Sequence, residues 1–473
     1  MCMKPNVLPC LAPPDAAARP LFAARPAGLA ALLDQLSPTA RAYARDAGFR
    51  ADAQELLLLP GADGIEAALL GLGADRSPYV FGDLPARLPA GTDWELVPGD
   101  YAPDSAVLGF CLGAYRYTAF KEPGRRLARL RAPDGTADAA GTAAATWMVR
   151  DLINTPANRL GPAELADAVA ALAAAHGAEC TRIEGAALTE RYPVVAAVGA
   201  GSARPPVVVR LDWRGSQAGR EAPLIALCGK GIVFDTGGYD LKPSAAMLRM
   251  KKDMGGAAHA LGVARLVMEA DLAVRLTMWI GCAENSVSGN AMRPSDILRS
   301  RHGLSIEVGN TDAEGRLLLC DLLAEASLAR PRLLIDFATL TGAARAALGP
   351  DLPALFCNDE SLANDFAVAS QIVQDPLWRL PLWAGYDQWL SSTVADLNSV
   401  SSKPTAGAIV AALFLQRFVA PDLPWAHIDV YAWNDASRPG RPEGGEAQGM
   451  RAALQIITQC ANASDVKQNE RPS

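Results

Sequence analysis

Histidine is scarce in this sequence, with four among 473 residues. His176, His259, His302 and His427 form no H-x-x-x-H pair, which excludes a zinc site of the helix-borne H-E-x-x-H type. Nine cysteines are scattered without any C-x-x-C pair. Zinc ribbons and thioredoxin-like redox centres are thereby excluded. An odd number of dispersed thiols suits a reducing compartment better than a disulfide framework. No run of roughly eighteen apolar residues occurs, so no membrane-spanning helix is expected. Basic residues are not in excess: 44 Lys and Arg stand against 51 Asp and Glu, a formal net charge of −7. That balance argues against a broad nucleic-acid surface. No repeat of about 20–50 residues is visible, which removes solenoids and propellers.

What remains is the composition of a folded enzyme, 50% apolar and 20% charged. A chain of this length exceeds one ordinary core, so two domains are expected. The opening Met1-Cys2-Met3-Lys4-Pro5 runs into Pro9, Pro13 and Pro14 without an apolar stretch. No signal peptide is therefore expected, and the cytoplasm is the expected compartment. Residues 1–142 read as an N-terminal α/β domain, with strand-like runs at 55–59, 94–97 and 106–110. Residues 132–145 read as a polar joint. A helix from Ala143 to Ile153 should stop before Asn154-Thr155-Pro156, because a proline disfavours helix at the residue before it. Residues 143–160 are thus a linking helix and turn, 161–463 a second domain, and 464–473 a polar tail. Strand candidates in the second domain lie at 194–198, 207–211, 224–228, 275–280, 304–308, 333–337 and 427–430, with helical periods at 257–270 and 317–329. The alternation predicts an α/β fold class: two α/β domains, the second with a mixed, mostly parallel central sheet covered by helices.

In such sheets ligands bind beyond the carboxyl ends of the strands. Lys230, Asp235, Asp312, Glu314 and Thr339 all fall just after expected strands. The segment Asn310-Thr311-Asp312-Ala313-Glu314-Gly315-Arg316-Leu317 sets two carboxylates and a guanidinium close together. Residues two apart in an extended segment share a side, so Asp312 and Glu314 converge. Such a pair suits hard cations or general-base work. A second cluster lies upstream: Gly229-Lys230-Gly231, then Asp235-Thr236-Gly237-Gly238, Lys242-Pro243-Ser244 and Met250-Lys251-Lys252-Asp253-Met254-Gly255-Gly256. Taken singly, Lys230 reads as a surface ammonium, and Asp235 and Asp253 as turn and helix-end aspartates. Gly229-Lys230-Gly231 lacks P-loop spacing, Gly199-Ala200-Gly201 is a partial dinucleotide fingerprint, and Asp312-Ala313-Glu314-Gly315 does not fit an EF-hand. His259 reads as a core or helix-face residue.

The two clusters together resemble the leucine aminopeptidase (cytosol aminopeptidase) family of two-metal exopeptidases, whose signature octapeptide NTDAEGRL stands intact at 310–317. The resemblance covers roughly residues 150–460 and makes the second domain a catalytic metallopeptidase domain. It implies Asp235 and Glu314 as carboxylates bridging two divalent ions. Asp312 would complete one ion, through its carboxylate and its backbone carbonyl, and Asp253 with Lys230 the other. Charge agrees: four carboxylates offset two divalent cations, which in such sites stand roughly 3.5–4 Å apart. Lys230 would ligate as a neutral amine. Lys242 would stabilise the charge that develops on the attacked carbonyl. Arg316, with Gly315 and Leu340, would hold a bicarbonate ion acting as general base. A salt bridge to a neighbouring carboxylate is the plainer role for both Lys242 and Arg316. Oxygen-rich ligation favours Mn²⁺ or Mg²⁺, and the family also uses Zn²⁺.

The resemblance also places the first side chain of a peptide substrate against Met250, Thr339, Gly342 and two positions after the last core strand. There the family usually reads Asp-Ile-Ala-Gly, whereas this chain reads Asp429-Val430-Tyr431-Ala432. Tyr431 either shortens the pocket and lends it a hydroxyl, or turns into the core. The implied activity is removal of one N-terminal residue from peptides by a homohexamer of two stacked trimers. Its rivals are a dipeptidase, for instance on Cys-Gly, an added DNA-binding role drawing on Arg125, Arg126 and Arg129, and a catalytically dead scaffold.

Overall fold

The computed structural model describes residues 8–122 and 124–469, with side chains described as far as residue 462. The chain divides into two compact units. The larger comprises Met148–Trp433 and the chain from Gly445 onward, the smaller the chain up to Trp147 with Asn434–Gly444.

The smaller unit is built on a five-stranded sheet in the order Leu56–Gly61, Gly64–Gly71, Arg19–Ala24, Asp93–Leu96 and Arg129–Arg131. Its first pair is an antiparallel hairpin and the remaining pairs are parallel. The strand expected at 106–110 is instead part of the helix Pro103–Ala114. Pro103 sits at the first helical position, where no amide partner is needed and a fixed φ helps. Every residue from Ala106 to Leu112 is buried, so this run shows no polar face from which strand and helix could be told apart. The polar joint expected at 132–145 is also mostly helix. Ala137–Asn154 is continuous, because its alanine-rich opening turns have high helix propensity. Arg125 donates to the carbonyls of Ala86 and Leu88 at 2.8 and 2.9 Å, and Arg129 holds Asp93 by two bonds of 2.8 and 2.7 Å. Both cations are committed within the smaller unit.

The larger unit carries an eight-stranded sheet in the order Trp378–Arg379, Ala354–Cys357, Trp425–Asp429, Leu333–Ala338, Leu224–Asp235, Arg275–Asn285, Val207–Arg214 and Glu179–Ile183. The four strands from Trp425–Asp429 to Arg275–Asn285 run parallel, and their outer neighbours pair with them antiparallel. The sheet is therefore mixed with a parallel middle, as expected. Parallel strands covered on both faces read as continuous apolar runs, and Leu333–Ala338 is buried at every residue. The helices Gly255–Glu269 and Glu314–Leu328 both pack on Leu224–Asp235. Leu317, Leu318, Leu319, Leu322 and Leu323 of the second helix are wholly buried in the main core.

One strand expectation in this unit fails and another is met only in part. Residues 194–198 lie in the helix Pro193–Gly199, where Pro193 opens the helix and the buried Asp321 carboxylate accepts the Val194 amide at 2.8 Å. The valines that suggested a strand are satisfied equally well by burial in a helix. The run at 304–308 shortens to Ser305–Glu307 and joins a small sheet with Ile297–Arg299 and Leu397–Asn398, outside the central one. At the C-terminus the helix Met450–Asn469 extends into the expected polar tail. Residues 470–473, and residues 1–7 where a signal peptide would begin, lie outside the described residues.

Candidate metal centre

Lys230 and Asp235 belong to the strand Leu224–Asp235 rather than following it. A separation of five would place them on opposite faces of a regular strand. The pairing with Arg275–Asn285 shifts register here: Ile232 faces Ala283, and Asp235 faces Asn285. One extra residue is taken up in this bulge, which turns Asp235 to the side on which Lys230 stands. The chain then reverses through Gly237, at φ 89°, a conformation that only glycine adopts freely. The Gly237 amide and the Asn285 side-chain amide donate to Asp235 Oδ1 at 2.9 and 2.8 Å. The reversal returns Lys242, whose Nζ lies 2.7 Å from Asp235 Oδ2 and pairs with Asp312 as well.

Asp253 comes from the short 3₁₀ helix Met250–Met254. Thr339 Oγ1 donates to Asp253 Oδ1 at 2.7 Å. Lys230 Nζ reaches Asp253 Oδ2 at 2.8 Å, Glu314 Oε1 at 2.9 Å and the Thr339 carbonyl at 2.9 Å. Asp312 and Glu314 do converge, but not along an extended segment. Asp312 sits in a turn and Glu314 opens the helix Glu314–Leu328. Asp235, Asp312 and Glu314 each offer an oxygen within 4.8 Å of the others. Gly315 makes the approach of Lys230 possible, since a Cβ there would lie 2.4 Å from Lys230 Cε.

Thr311, Asp240 and Asn285 were not singled out as ligands or catalysts, yet they fasten the two motifs together. Thr311 is fully buried, its hydroxyl donates to the Gly237 carbonyl at 2.6 Å, and its amide donates to Asp240 Oδ2 at 2.8 Å. Asn285 bridges Asp235 to the Thr311 carbonyl, 3.0 Å away. Of the three, Thr311 stands within the octapeptide at 310–317.

The electrostatics follow from crowding charge in a dry place. Burial lifts the Glu314 carboxyl to about 8 and the Asp235 carboxyl to about 6, with neighbouring carboxylates adding to the lift. Burial alone would depress Lys230, but Asp253, Glu314 and Asp235 outweigh it and hold its pKa above the ordinary lysine value. Lys242 is raised in the same way, with Asp235 the main opponent of burial. For Asp253 burial is overcome by Lys230 and Lys252, and the net shift is downward. Arg316 is lowered to about 10 by burial. One of its N–H groups donates to the Ser399 carbonyl at 2.9 Å, while its buried Nε has no partner. It makes no ion pair with the cluster, unlike Lys242.

A cavity of about 430 Å³ adjoins the cluster, lined by Lys230, Asp235, Lys242, Asp253, Asp312 and Arg316. Met250, Thr339, Gly342 and Tyr431, expected beside the substrate's first side chain, line it as well, and so does Leu340. Glu314 is buried beneath, at 1% exposure. Tyr431 faces the cavity, and its hydroxyl accepts from Arg249 and Arg345 at 3.3 and 3.1 Å. The Leu340 amide donates to Asp429 Oδ1 at 2.9 Å. Lys252 also lines the cavity, although a lysine beside a lysine reads as solvated in the sequence.

Residues 147–454 match the family model described as the cytosol aminopeptidase family, catalytic domain, and residues 19–133 match that of the M17 aminopeptidase N-terminal domain. The chain belongs to the cytosol aminopeptidase family. Membership makes it a metal-dependent aminopeptidase, a hydrolase of the metallo-exopeptidase class. A probable cytosol aminopeptidase of Syntrophotalea carbinolica is 44% identical over 315 residues, 66% of this chain and 63% of the relative. One from Roseiflexus castenholzii is 40% identical over 368 residues, 74% of this chain and 75% of the relative. Among solved structures, the cytosol aminopeptidase of Coxiella burnetii superposes with a TM-score of 0.90 at 42% identity, covering 94% of this chain and 98% of that one. The bottromycin maturation enzyme BotP in complex with Mn gives 0.84 at 33% identity, covering 94% and 100%.

Proposed function

We propose that this aminopeptidase removes the N-terminal residue of peptides at a two-metal centre held by Lys230, Asp235, Asp253, Asp312 and Glu314. The observation that carries the reading is an acidic cluster with too little positive charge of its own. Four carboxylates meet two lysines, and Glu314 Oε2 is buried without a hydrogen-bond partner. A buried, bare carboxylate oxygen is costly unless a cation meets it. Lys230 has the ammonium nearest to that need, so ligation through its amine would require its proton to leave. Divalent ions bound here would polarise the scissile carbonyl and lower the pKa of a water.

The protein's own groups then have distinct tasks. Lys242 stays protonated between Asp235 and Asp312, at the edge of the cavity, and is placed to hold negative charge developing on the carbonyl oxygen. Arg316 faces the cavity with an unpartnered Nε, which suits an anion such as bicarbonate serving as base. Gly315 adds a first-turn amide of the helix Glu314–Leu328, which has no intrahelical acceptor. The Leu340 amide is bound to Asp429, so Arg316 and Gly315 carry this part of the reading. Met250, Thr339, Gly342 and Tyr431 would bound the first side chain.

Ligand hardness favours Mn²⁺, with Zn²⁺ the alternative. The reading extends to a cytoplasmic homohexamer, in keeping with relatives named cytosol aminopeptidases. No helix among the described residues is long and apolar enough to cross a membrane. Stripping with a strong chelator should abolish hydrolysis of a leucine amide, and Mn²⁺ should restore it. Full activity in demonstrably metal-free protein would refute the reading.

A further inference from the structure

We propose that the pocket for the substrate's first side chain takes an acidic residue, N-terminal Glu or Asp, and that Lys252 and Arg345 set this specificity. The inference rests on the aminopeptidase reading above and on its placement of that side chain beside Met250, Thr339 and Tyr431.

Lys252 is 6% exposed, and its Nζ lies 4.7 Å from the centre of the Tyr431 ring. Among the described residues its side chain makes no salt bridge and no hydrogen bond. Arg345 stands over the same ring at 4.9 Å and donates to the Tyr431 hydroxyl at 3.1 Å, again without a carboxylate partner. Both residues line the cavity. The carboxylates nearby are already engaged. Asp253 is taken by Lys230 and the Thr339 hydroxyl. Asp429 accepts from the amides of Leu340 and Thr341 and from the Thr341 hydroxyl.

A buried ammonium resting on a ring face gains something from the π system, but it still lacks the hydrogen-bond acceptor that a buried cation requires. A substrate carboxylate arriving between Lys252 and Arg345 supplies that acceptor, and the Arg345 guanidinium matches it in shape and charge. A leucine side chain in the same place would desolvate both cations and answer neither.

The test uses the whole enzyme loaded with Mn²⁺ and the p-nitroanilides of Glu, Asp, Leu and Ala. The wild type should show a higher kcat/KM for Glu or Asp than for Leu. Lys252→Met and Arg345→Gln should each lower the Glu-to-Leu ratio by about tenfold or more. The ratio is formed within one preparation, so incomplete folding or metal loading of a variant cancels. Preference for Leu over both acidic substrates, or ratios unchanged in both variants, would overturn the proposal and leave the aminopeptidase reading standing. Cleavage of none of the four would overturn both.

Discussion

Lys230 and Asp235 lie on one strand, five residues apart, and meet the same group of carboxylates. The bulge between them makes this possible and concentrates charge where the sheet is driest. Ion pairs with Lys230 and Lys242 hold that charge together. Each proposed role depends on which of these pairs a substitution breaks.

Lys242 and Glu314 should separate rate from metal. Lys242→Ala should keep metal and lose turnover by on the order of 10²–10³, the usual effect of removing one oxyanion donor. Glu314→Ala should lose metal as well. Metal analysis beside steady-state kinetics distinguishes the two, and equal metal loss in both would contradict the assignment.

Stability without metal should depend on pH through Glu314. Its folded pKa, about 8, lies above the ordinary value of 4.5, so the folded state holds a proton that the unfolded chain releases. The stabilisation is full below about 4.5 and is lost as pH rises through about 8. In chelator, the wild-type melting temperature should therefore fall between about pH 5 and 8 more steeply than that of Glu314→Gln. Parallel slopes would contradict the buried-carboxyl account.

Gly315→Ala should weaken metal binding although alanine favours the helix by about 1 kcal/mol. The new methyl group would meet the enclosed stem of Lys230 at 2.4–2.7 Å, and Lys230 is the side chain that must yield. Calorimetric titration with Mn²⁺ should show affinity lowered by roughly tenfold or more, as for a displaced metal-ligand support. An unchanged affinity would show that the stem relaxes freely.

Tyr431→Ala should enlarge the space beside the first side chain and raise cleavage of N-terminal Leu or Phe relative to Ala or Gly. One methylene in such a pocket is worth about 1–3 kcal/mol of discrimination, so loss of a ring is easily seen. A lowered melting temperature with unchanged preference would assign Tyr431 to packing instead.

The octapeptide at 310–317 was legible because its chemistry is local: two acids and an arginine at the mouth of an apolar run. The central parallel strands were legible because burial on both faces leaves continuous apolar sequence. Residues 106–110 and 194–198 were misread for the same reason, since an apolar run without a polar face has no period. Lys252 escaped notice because the ring its ammonium rests on, Tyr431, is distant in sequence. The Thr311–Asp240 link was hidden likewise, being a contact between two loops that sequence treats separately.

The bulge also sets what kind of change this strand can absorb. Val233 and Phe234 are open to exchange by other side chains of similar bulk, at the ordinary cost of repacking. Their number is tied to the bulge. Deleting one of them would leave an interval of four, which plain alternation already sets on one face, so such a copy would keep the site only by losing the bulge. Adding one with the bulge in place would turn Asp235 to the opposite face, away from Lys230. In divergent copies of this chain, spacing and bulge should therefore change together wherever the site survives.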